Sequence, residues 1–158
     1  MARKAPPEIL HALNDVLTAE LTAINQYFIH AKMCGDWGYA KLHDYIRKES
    51  IDEMRHAETL IDRILYLNGI PNVQRMNKVN IGETVKEQLQ LDVALEYEAI
   101  PRLQRAIQTC RAHQDEGTRV IFEGILVSEE EHIDWLEAQI ELIEQVGLEN
   151  YLSQQIYL

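Results

Sequence analysis

Apolar residues recur at steps of three and four positions along four long segments of the chain, a period that predicts amphipathic α-helices. Prolines precede the first segment, where they suit a helix start, and Thr84-x-x-Glu87 forms a capping box before the third. The predicted helices cover approximately residues 7–36, 39–67, 84–111 and 115–146. The short amphipathic tail NYLSQQIYL predicts a fifth, smaller helix.

Helices of this length need partners along their whole length, so four of them predict a bundle with the apolar stripes facing inward. Short links at Gly38 and near His113 would join the helices into two antiparallel hairpins. The aperiodic link over residues 68–82 is long enough to cross the whole bundle, as in ferritin-like bundles. We therefore predict an all-α, ferritin-like four-helix bundle with a short C-terminal helix, in one domain over residues 1–158.

A glutamate interrupts each predicted apolar stripe near its middle, and in two stripes a histidine follows three residues later on the same face. The separation between Glu20 and Glu53 equals that between Glu96 and Glu129, at 33 residues. One hairpin motif is therefore used twice, which predicts six polar side chains at one level of the core. These residues are Glu20, Glu53, His56, Glu96, Glu129 and His132.

Carboxylates gathered in an apolar interior repel one another and are costly without a cation. The predicted stripes contain no Lys or Arg, whereas two divalent metal ions would balance four carboxylates. Oxygen and imidazole ligands suit iron or manganese. Glu from two helices with Glu-x-x-His from the other two is the ligand pattern of di-metal bundles. A lone Glu-x-x-His is usually solvated surface, but the doubled pattern favours a metal site.

The remaining polar residues near this level have other expected positions. Tyr27 shares a helix face with Glu20, and two roles stay open: its hydroxyl bonds a ligand carboxylate, or its ring only fills the core. Glu49 and Asp52, which lie near Glu53, would suit a route for iron, but a surface position is the expectation for each of them. The residues expected at the surface are Glu49, Asp52, Glu58, Glu130 and Glu131.

A second face of the first two helices carries apolar residues that point away from the core. Met54 lies about 100° around the helix from Glu53, near Leu21, Asn25 and Phe28 of the first helix. Such a face suggests a subunit interface. Across a two-fold axis, two Met54 thioethers would be placed to ligate one haem iron, although an exposed methionine more often serves only in packing.

Composition excludes several classes of function. The formal net charge is −11, with 26 acidic against 15 Lys and Arg residues, which disfavours a nucleic-acid partner. No apolar run approaches membrane-spanning length, so no membrane partner is expected. The first ten residues lack the apolar segment of a signal peptide. Cys34 and Cys110 stand far apart without a CxxC motif, which favours free thiols and a cytoplasmic location.

Several segments follow one another much as similar segments do in bacterioferritins, over essentially the whole chain. They include ELTAINQYFIHAKM, ESIDEMRHAE, DRILYLNGIPN, SEEEHIDWLE and GLENYL. The Glu-x-x-His pairs occur in several di-iron families. Met54 directly after Glu53 and the GLENYL tail are more specific, so the chain resembles a bacterioferritin subunit.

The resemblance implies two iron ions per subunit, held by the six in-stripe residues as a ferroxidase centre with Glu53 and Glu129 as bridges. It implies that Met54 binds haem b, one per two subunits. Twenty-four subunits, built from dimers and alone or mixed with another ferritin subunit, would form a hollow shell. Fe(II) would be oxidised there by peroxide or dioxygen and stored as ferric mineral, with a ferredoxin-type reductant for release.

Two positions depart from the family pattern. Some members have a histidine before the position of Glu49 that serves an inner-surface iron site with Asp52, and this chain has Lys48 there. Pro101 lies inside the third predicted helix, where the ring removes a backbone hydrogen bond and predicts a local bend.

Three alternative functions compete with storage. A rubrerythrin-like peroxidase usually adds an iron module held by four cysteines, and this chain has two. A non-catalytic haem bundle would leave the six in-stripe residues without a role. A DNA-protecting mini-ferritin is disfavoured by the acidic charge and by a metal site inside the bundle.

Overall fold

The computed structural model describes residues 4–158 as four long α-helices and one short one, with no strand among them. The predicted fold class is confirmed, and the helix ends lie within one residue of the predicted positions. Residues 1–3 lie outside the described residues. They include the start of the predicted domain and of the ten residues that lack a signal-peptide pattern. The helices are α1 Pro7–Asp36, α2 Ala40–Tyr66, α3 Val85–Ala112, α4 Glu116–Val146 and α5 Leu148–Ser153.

Side-chain caps fix the starts of α3 and α4. Thr84 Oγ1 accepts the backbone N–H of Glu87 at 3.2 Å, and the Glu87 carboxylate accepts the N–H of Glu83 at 2.9 Å. In the usual capping box the glutamate accepts the N–H of the capping residue itself, whereas here Glu87 accepts the N–H of the residue before it, Glu83. At the start of α4, Asp115 Oδ1 accepts the N–H of Thr118 at 3.1 Å.

Gly147 and Pro101 have different effects on the helices. Gly147 adopts φ 86°, a left-handed value that glycine tolerates, and the chain breaks there between α4 and α5. Pro101 is exposed, and α3 continues through it from Val85 to Ala112. A single missing N–H is tolerated on a water-facing turn, so the proline does not end the helix.

Contacts between helices establish two antiparallel hairpins. Ser50 Oγ in α2 donates to the Ile24 carbonyl of α1 at 2.9 Å, which sets the level of one helix on the other. Tyr97 of α3 donates to Glu137 of α4 at 2.8 Å, and Lys86 near the start of α3 lies 3.1 Å from Glu144 near the end of α4, so these two helices form the second hairpin. Arg63 Nε of α2 donates to Thr118 Oγ1 of α4 at 3.0 Å and joins the two hairpins. None of the described helices is long and apolar enough to cross a membrane.

The crossover between α2 and α3 lies along α1. A row of polar side chains on α1, here called the polar ladder, holds the crossover there, and this row was not predicted. Every fourth residue on one side of α1 is polar, so these side chains form one row. Each one hydrogen-bonds to the crossover in chain order, at 2.8 to 3.2 Å. The pairs are Asn14 with Asn72, Thr18 with Arg75, Thr22 with Asn77, Gln26 with Asn80 and His30 with Gly82.

Asp92 of α3 ties this ladder to the bundle core. Its Oδ1 accepts from Gln26 Nε2 at 2.9 Å and contacts His30 Nδ1 at 2.8 Å. The N–H of Gly82 donates to His30 Nε2 at 3.0 Å, so the ring proton lies on Nδ1 and points to Asp92. The network joins α1, α3 and the crossover at one buried point.

The apolar core consists of two clusters at opposite ends of the bundle. One contains Leu13, Leu60 and Phe122, and the other contains Leu42 and Leu136. The layer between the clusters is polar, and it contains the glutamates and histidines that interrupt the apolar stripes.

The two cysteines are free and buried, one in each apolar cluster. Burial raises the pKa of Cys34 to about 12 and that of Cys110 to about 11, which keeps both as thiols. The expectation of free thiols is confirmed.

Candidate metal centre

The structure brings all six in-stripe residues together in the layer between the two apolar clusters. The four glutamates and His132 are buried, and the side chain of His56 is 15% exposed. Each of the four long helices contributes at least one of them, because the matched 33-residue separations place both hairpin motifs at the same level.

One group of donor atoms surrounds the His56 imidazole. Its Nδ1 lies 3.2 Å from Glu129 Oε1, 3.6 Å from Glu20 Oε2 and 3.7 Å from Glu53 Oε2. One donor atom from each of these four residues lies within 4.8 Å of the others, a spacing that suits a single metal ion.

A second group surrounds the His132 imidazole. Its Nδ1 lies 3.1 Å from Glu53 Oε1, 3.7 Å from Glu96 Oε1 and 3.9 Å from Glu129 Oε2. These four residues also offer donor atoms within 4.8 Å of one another. The two groups share Glu53 and Glu129, so two metal positions would lie side by side with two carboxylates in common.

Many donor atoms of the centre have no hydrogen-bond partner among the described residues, although they are shielded from solvent. A buried polar atom without a partner costs about 1–3 kcal/mol, so such atoms usually indicate a missing ligand. Carboxylate oxygens and imidazole nitrogens fit iron or manganese. The atoms are Glu20 Oε2, both oxygens of Glu53, Glu96 Oε2, Glu129 Oε1 and Nδ1 of His56 and His132.

The titration of the metal-free centre reflects crowding of like charge. Burial raises the pKa of Glu129 well above its usual value, and the carboxylates of Glu53 and Glu96 raise it further. Burial also opposes charge on Glu53, but the imidazoles of His132 and His56 outweigh it and lower its pKa to about 2. Burial lowers the pKa of His132, yet Glu53 and Glu96 dominate and raise it to about 11. The metal-free centre therefore retains protons that a metal ion would displace.

Two residues outside the six orient the candidate ligands. The buried Tyr27 hydroxyl donates to Glu96 Oε1, so of the two roles left open the hydrogen bond to a ligand carboxylate is the correct one. Burial, and then the charge of Glu96, raises the pKa of Tyr27 and keeps it a donor. Asp52 Oδ2 lies 3.4 Å from His132 Nε2, where a carboxylate fixes the imidazole orientation.

The surface position expected for Glu49 is wrong. Its side chain is only 1% exposed, and neither carboxylate oxygen has a hydrogen-bond partner among residues 4–158. Glu49 lies one helical turn before Glu53 and so shares its inward face, which explains the error. Burial raises its pKa well above the usual value, and His132 partly opposes that change.

The other acids lie at or near their expected surface positions. Glu58, Glu130 and Glu131 are exposed, as predicted, and Asp52 is partly exposed. Lys48 is also exposed, with Nζ 5.8 Å from the centroid of the Tyr45 ring.

The predicted off-core face is present on α1 and α2. Met54 and Phe28 are each 50% exposed, Asn25 is exposed, and Leu21 is partly exposed. The hydrogen bond from Ser50 to Ile24 places Met54 at about the level of Leu21 and Asn25. A sulfur donor therefore lies on an accessible surface beside apolar side chains.

A four-helix bundle with a long crossover and a candidate di-metal centre at mid-height defines a ferritin-like protein. The family described as "Ferritin-like domain" matches residues 10–146. The chain is 53% identical to the bacterioferritin of Mycolicibacterium paratuberculosis over 94% of this chain and 93% of that protein. It is 54% identical to the bacterioferritin of Streptomyces coelicolor over 93% and 88%, and 40% identical to that of Brucella melitensis over 94% and 92%. The chain belongs to the bacterioferritin family.

We expect Zn(II) binding to the metal-free protein to release at least about one proton per subunit at neutral pH, because His132 must lose its proton to bind metal. The His132 pKa is raised to about 11, so Zn(II) affinity should increase as pH rises toward that value. A pH indicator and calorimetry in two buffers measure the release. His132→Ala should release fewer protons, and the exposed control His11→Ala should match the parent protein. Affinity independent of pH would contradict the prediction.

Proposed function

We propose that this protein oxidises Fe(II) at the six-residue centre and stores the product as ferric mineral inside a hollow shell of twenty-four subunits. Membership of the bacterioferritin family supports iron storage. The observation that carries the ferroxidase part of the proposal is the pair of four-residue groups sharing Glu53 and Glu129. Fe(II) is the substrate of this reaction, and the mineral is its stored product.

Each residue of the centre has a proposed role. Glu20 and His56 hold one Fe(II) ion, and Glu96 and His132 hold the other. Glu53 and Glu129 bridge the two ions, because both carboxylates belong to both groups. Tyr27 keeps Glu96 in position through its hydrogen bond. Carboxylates can change from one to two coordinating oxygens, which lets the centre follow iron as its charge rises.

The paired arrangement matches the electron count of the oxidant. Each Fe(II) ion loses one electron, so two adjacent ions supply the two electrons that one peroxide molecule needs. Two Fe(II), one hydrogen peroxide and two protons give two Fe(III) and two water molecules. Dioxygen would take the same two electrons and two protons to become hydrogen peroxide. The protons displaced from the centre when metal binds are available at the same place.

Haem b is proposed at the off-core face, with one group shared by two subunits through Met54. The half-exposed thioether and the nearby apolar side chains of Leu21 and Phe28 fit such a group, since a porphyrin needs an axial donor and apolar cover. When bound, haem supplies one-electron transfer, which suits the return of electrons for iron release. A ferredoxin-type protein is the proposed source of those electrons.

The assembly and location are part of the same proposal. Subunit dimers would form through the off-core face of α1 and α2, and dimers would build the shell, alone or with another ferritin subunit. A cytoplasmic location suits the two free cysteines. The partners are Fe(II) and peroxide or dioxygen, without nucleic acid or membrane.

Aerobic addition of excess Fe(II) to the purified metal-free protein tests storage. We expect far more iron than two ions per subunit to co-elute with a very large assembly in size-exclusion chromatography with iron analysis. Uptake that stops once the two groups of each subunit are filled would contradict storage and indicate a di-iron enzyme.

Glu53→Ala should abolish fast Fe(II) oxidation while haem stays bound, because the substitution removes a carboxylate common to both groups. Stopped-flow absorbance of Fe(III) formation measures the rate. Glu58→Ala, which removes an exposed carboxylate on the same helix, is the matched control and should keep the parent rate. Normal kinetics in Glu53→Ala would refute the assigned centre.

Met54→Leu should lose haem while the shell remains intact, since leucine has similar volume but no donor atom for iron. Pigment analysis and size-exclusion chromatography read out the two properties separately. Met33→Leu, a methionine near the far end of α1, should retain haem. A haem-loaded Met54→Leu protein would exclude Met54 as the ligand.

A further inference from the structure

The candidate metal centre extends toward the protein surface between α1 and α3. A small cavity of about 20 Å³ is lined by its four glutamates and also by Ala99, Asn77 and Arg102. Alanine leaves more space between packed helices than a larger side chain would. The cavity therefore connects the carboxylates to the crossover residue Asn77 and to Arg102 of α3.

A much larger groove of about 840 Å³ lies on the outside of the same helix pair. Of the described residues, Asn77 and Arg102 alone line both the groove and the small cavity. The backbone N–H of Asn77 is fixed by Thr22 Oγ1 at 3.0 Å, as part of the polar ladder on α1. Asn77 and Arg102 therefore lie where the groove and the cavity adjoin, so a solute that moved from the groove to the centre would come close to both residues.

Arg102 is a partly buried cation that forms no ion pair within the described part of the chain. No residue between 4 and 158 forms a hydrogen bond with it either. Arg75, in the same groove, pairs with Asp15 at 2.6 Å and with Thr18 at 3.0 Å. Burial lowers the pKa of Arg102, the charge of Glu98 one helical turn earlier opposes that change, and the charge of Arg105 adds to it. Partial burial of an unpaired cation costs stability, so packing alone gives no reason for it.

We propose that Arg102 determines which reactant enters the metal centre from the α1–α3 groove: its guanidinium slows divalent cations and lets neutral peroxide or dioxygen pass. A divalent ion beside Arg102 meets a like charge in partly desolvated surroundings, where repulsion is stronger than in water, and this repulsion opposes the attraction of the four glutamates that line the same cavity. A neutral molecule meets no such barrier. This inference rests on the proposed ferroxidase function and assigns a specificity role to a residue outside the ligand set.

The test uses Co(II) binding to the assembled, metal-free protein, followed by stopped-flow absorbance, because bound Co(II) is visible and needs no oxidant. Arg102→Gln should bind Co(II) about tenfold faster, the lower end of what charge in a cleft does to association rates. The final stoichiometry should stay at two ions per subunit, one for each group. Arg105→Gln makes the same charge change in the groove but outside the cavity, and it should change the rate much less.

Further variants separate charge from structure. Arg102→Lys keeps the charge and should keep the slow rate, while the acceleration in Arg102→Gln should shrink as ionic strength rises. Ala99→Leu narrows the cavity while the arginine at position 102 is kept, and it should slow oxidation by peroxide after the centre has been loaded with Fe(II). If Arg102→Gln does not assemble, Ala99→Leu still tests the passage, and an unchanged rate of oxidation overturns it.

The outcomes distinguish this inference from the ferroxidase proposal. Full Co(II) binding to the parent protein with equal rates in Arg102→Gln overturns the role of Arg102 and leaves the centre intact. Failure of the parent protein to bind Co(II) overturns the centre itself, and the role of Arg102 with it.

Discussion

Repulsion among four buried glutamates at mid-height of the bundle is the constraint around which the rest of the structure is arranged. Among residues 4–158, two imidazoles are the only basic groups in contact with them, and the pKa of His132 is raised to about 11 as a result. Protons relieve part of this repulsion in the metal-free chain, but several donor atoms still have no partner among the described residues. Cations would relieve it more completely, so the same repulsion would give the centre an affinity for metal ions.

The scaffold tolerates this polar layer because its stability is supplied elsewhere. Apolar clusters lie on both sides of the layer and bury large side chains such as Leu13, Phe122 and Leu136. The ladder on α1 and the carboxylate of Asp92 hold the crossover without using any of the six residues of the centre. The donor atoms of the centre therefore remain free for ligands, while helices anchored at both ends fix their positions.

Helical periodicity predicted the bundle and the six residues of the centre, because a three- or four-residue step defines one face whatever the side chain is. The prediction failed for Glu49, which is buried. A surface position was expected because a single further acid usually faces water, although Glu49 lies one helical turn before Glu53 and shares its face. Periodicity also missed the contact between Asp52 and His132, which joins residues of α2 and α4 that no sequence spacing relates. The polar ladder had a sequence signal, since residues 14 to 30 of α1 carry a polar side chain at every fourth position. That row identifies the helix face that the crossover covers.

The charge distribution bears on how two different reactants reach one centre. A net charge of −11 concentrates cations around the protein in general. That electric field does not attract neutral peroxide or dioxygen. An entrance used by the oxidant would therefore admit it more readily if the abundant cations were kept out. In the proposed role, Arg102 repels the cations and does not slow the neutral molecule, because charge repulsion acts only on the ion. On the proposed role, the partly buried position of Arg102 would serve the separation of the two reactants.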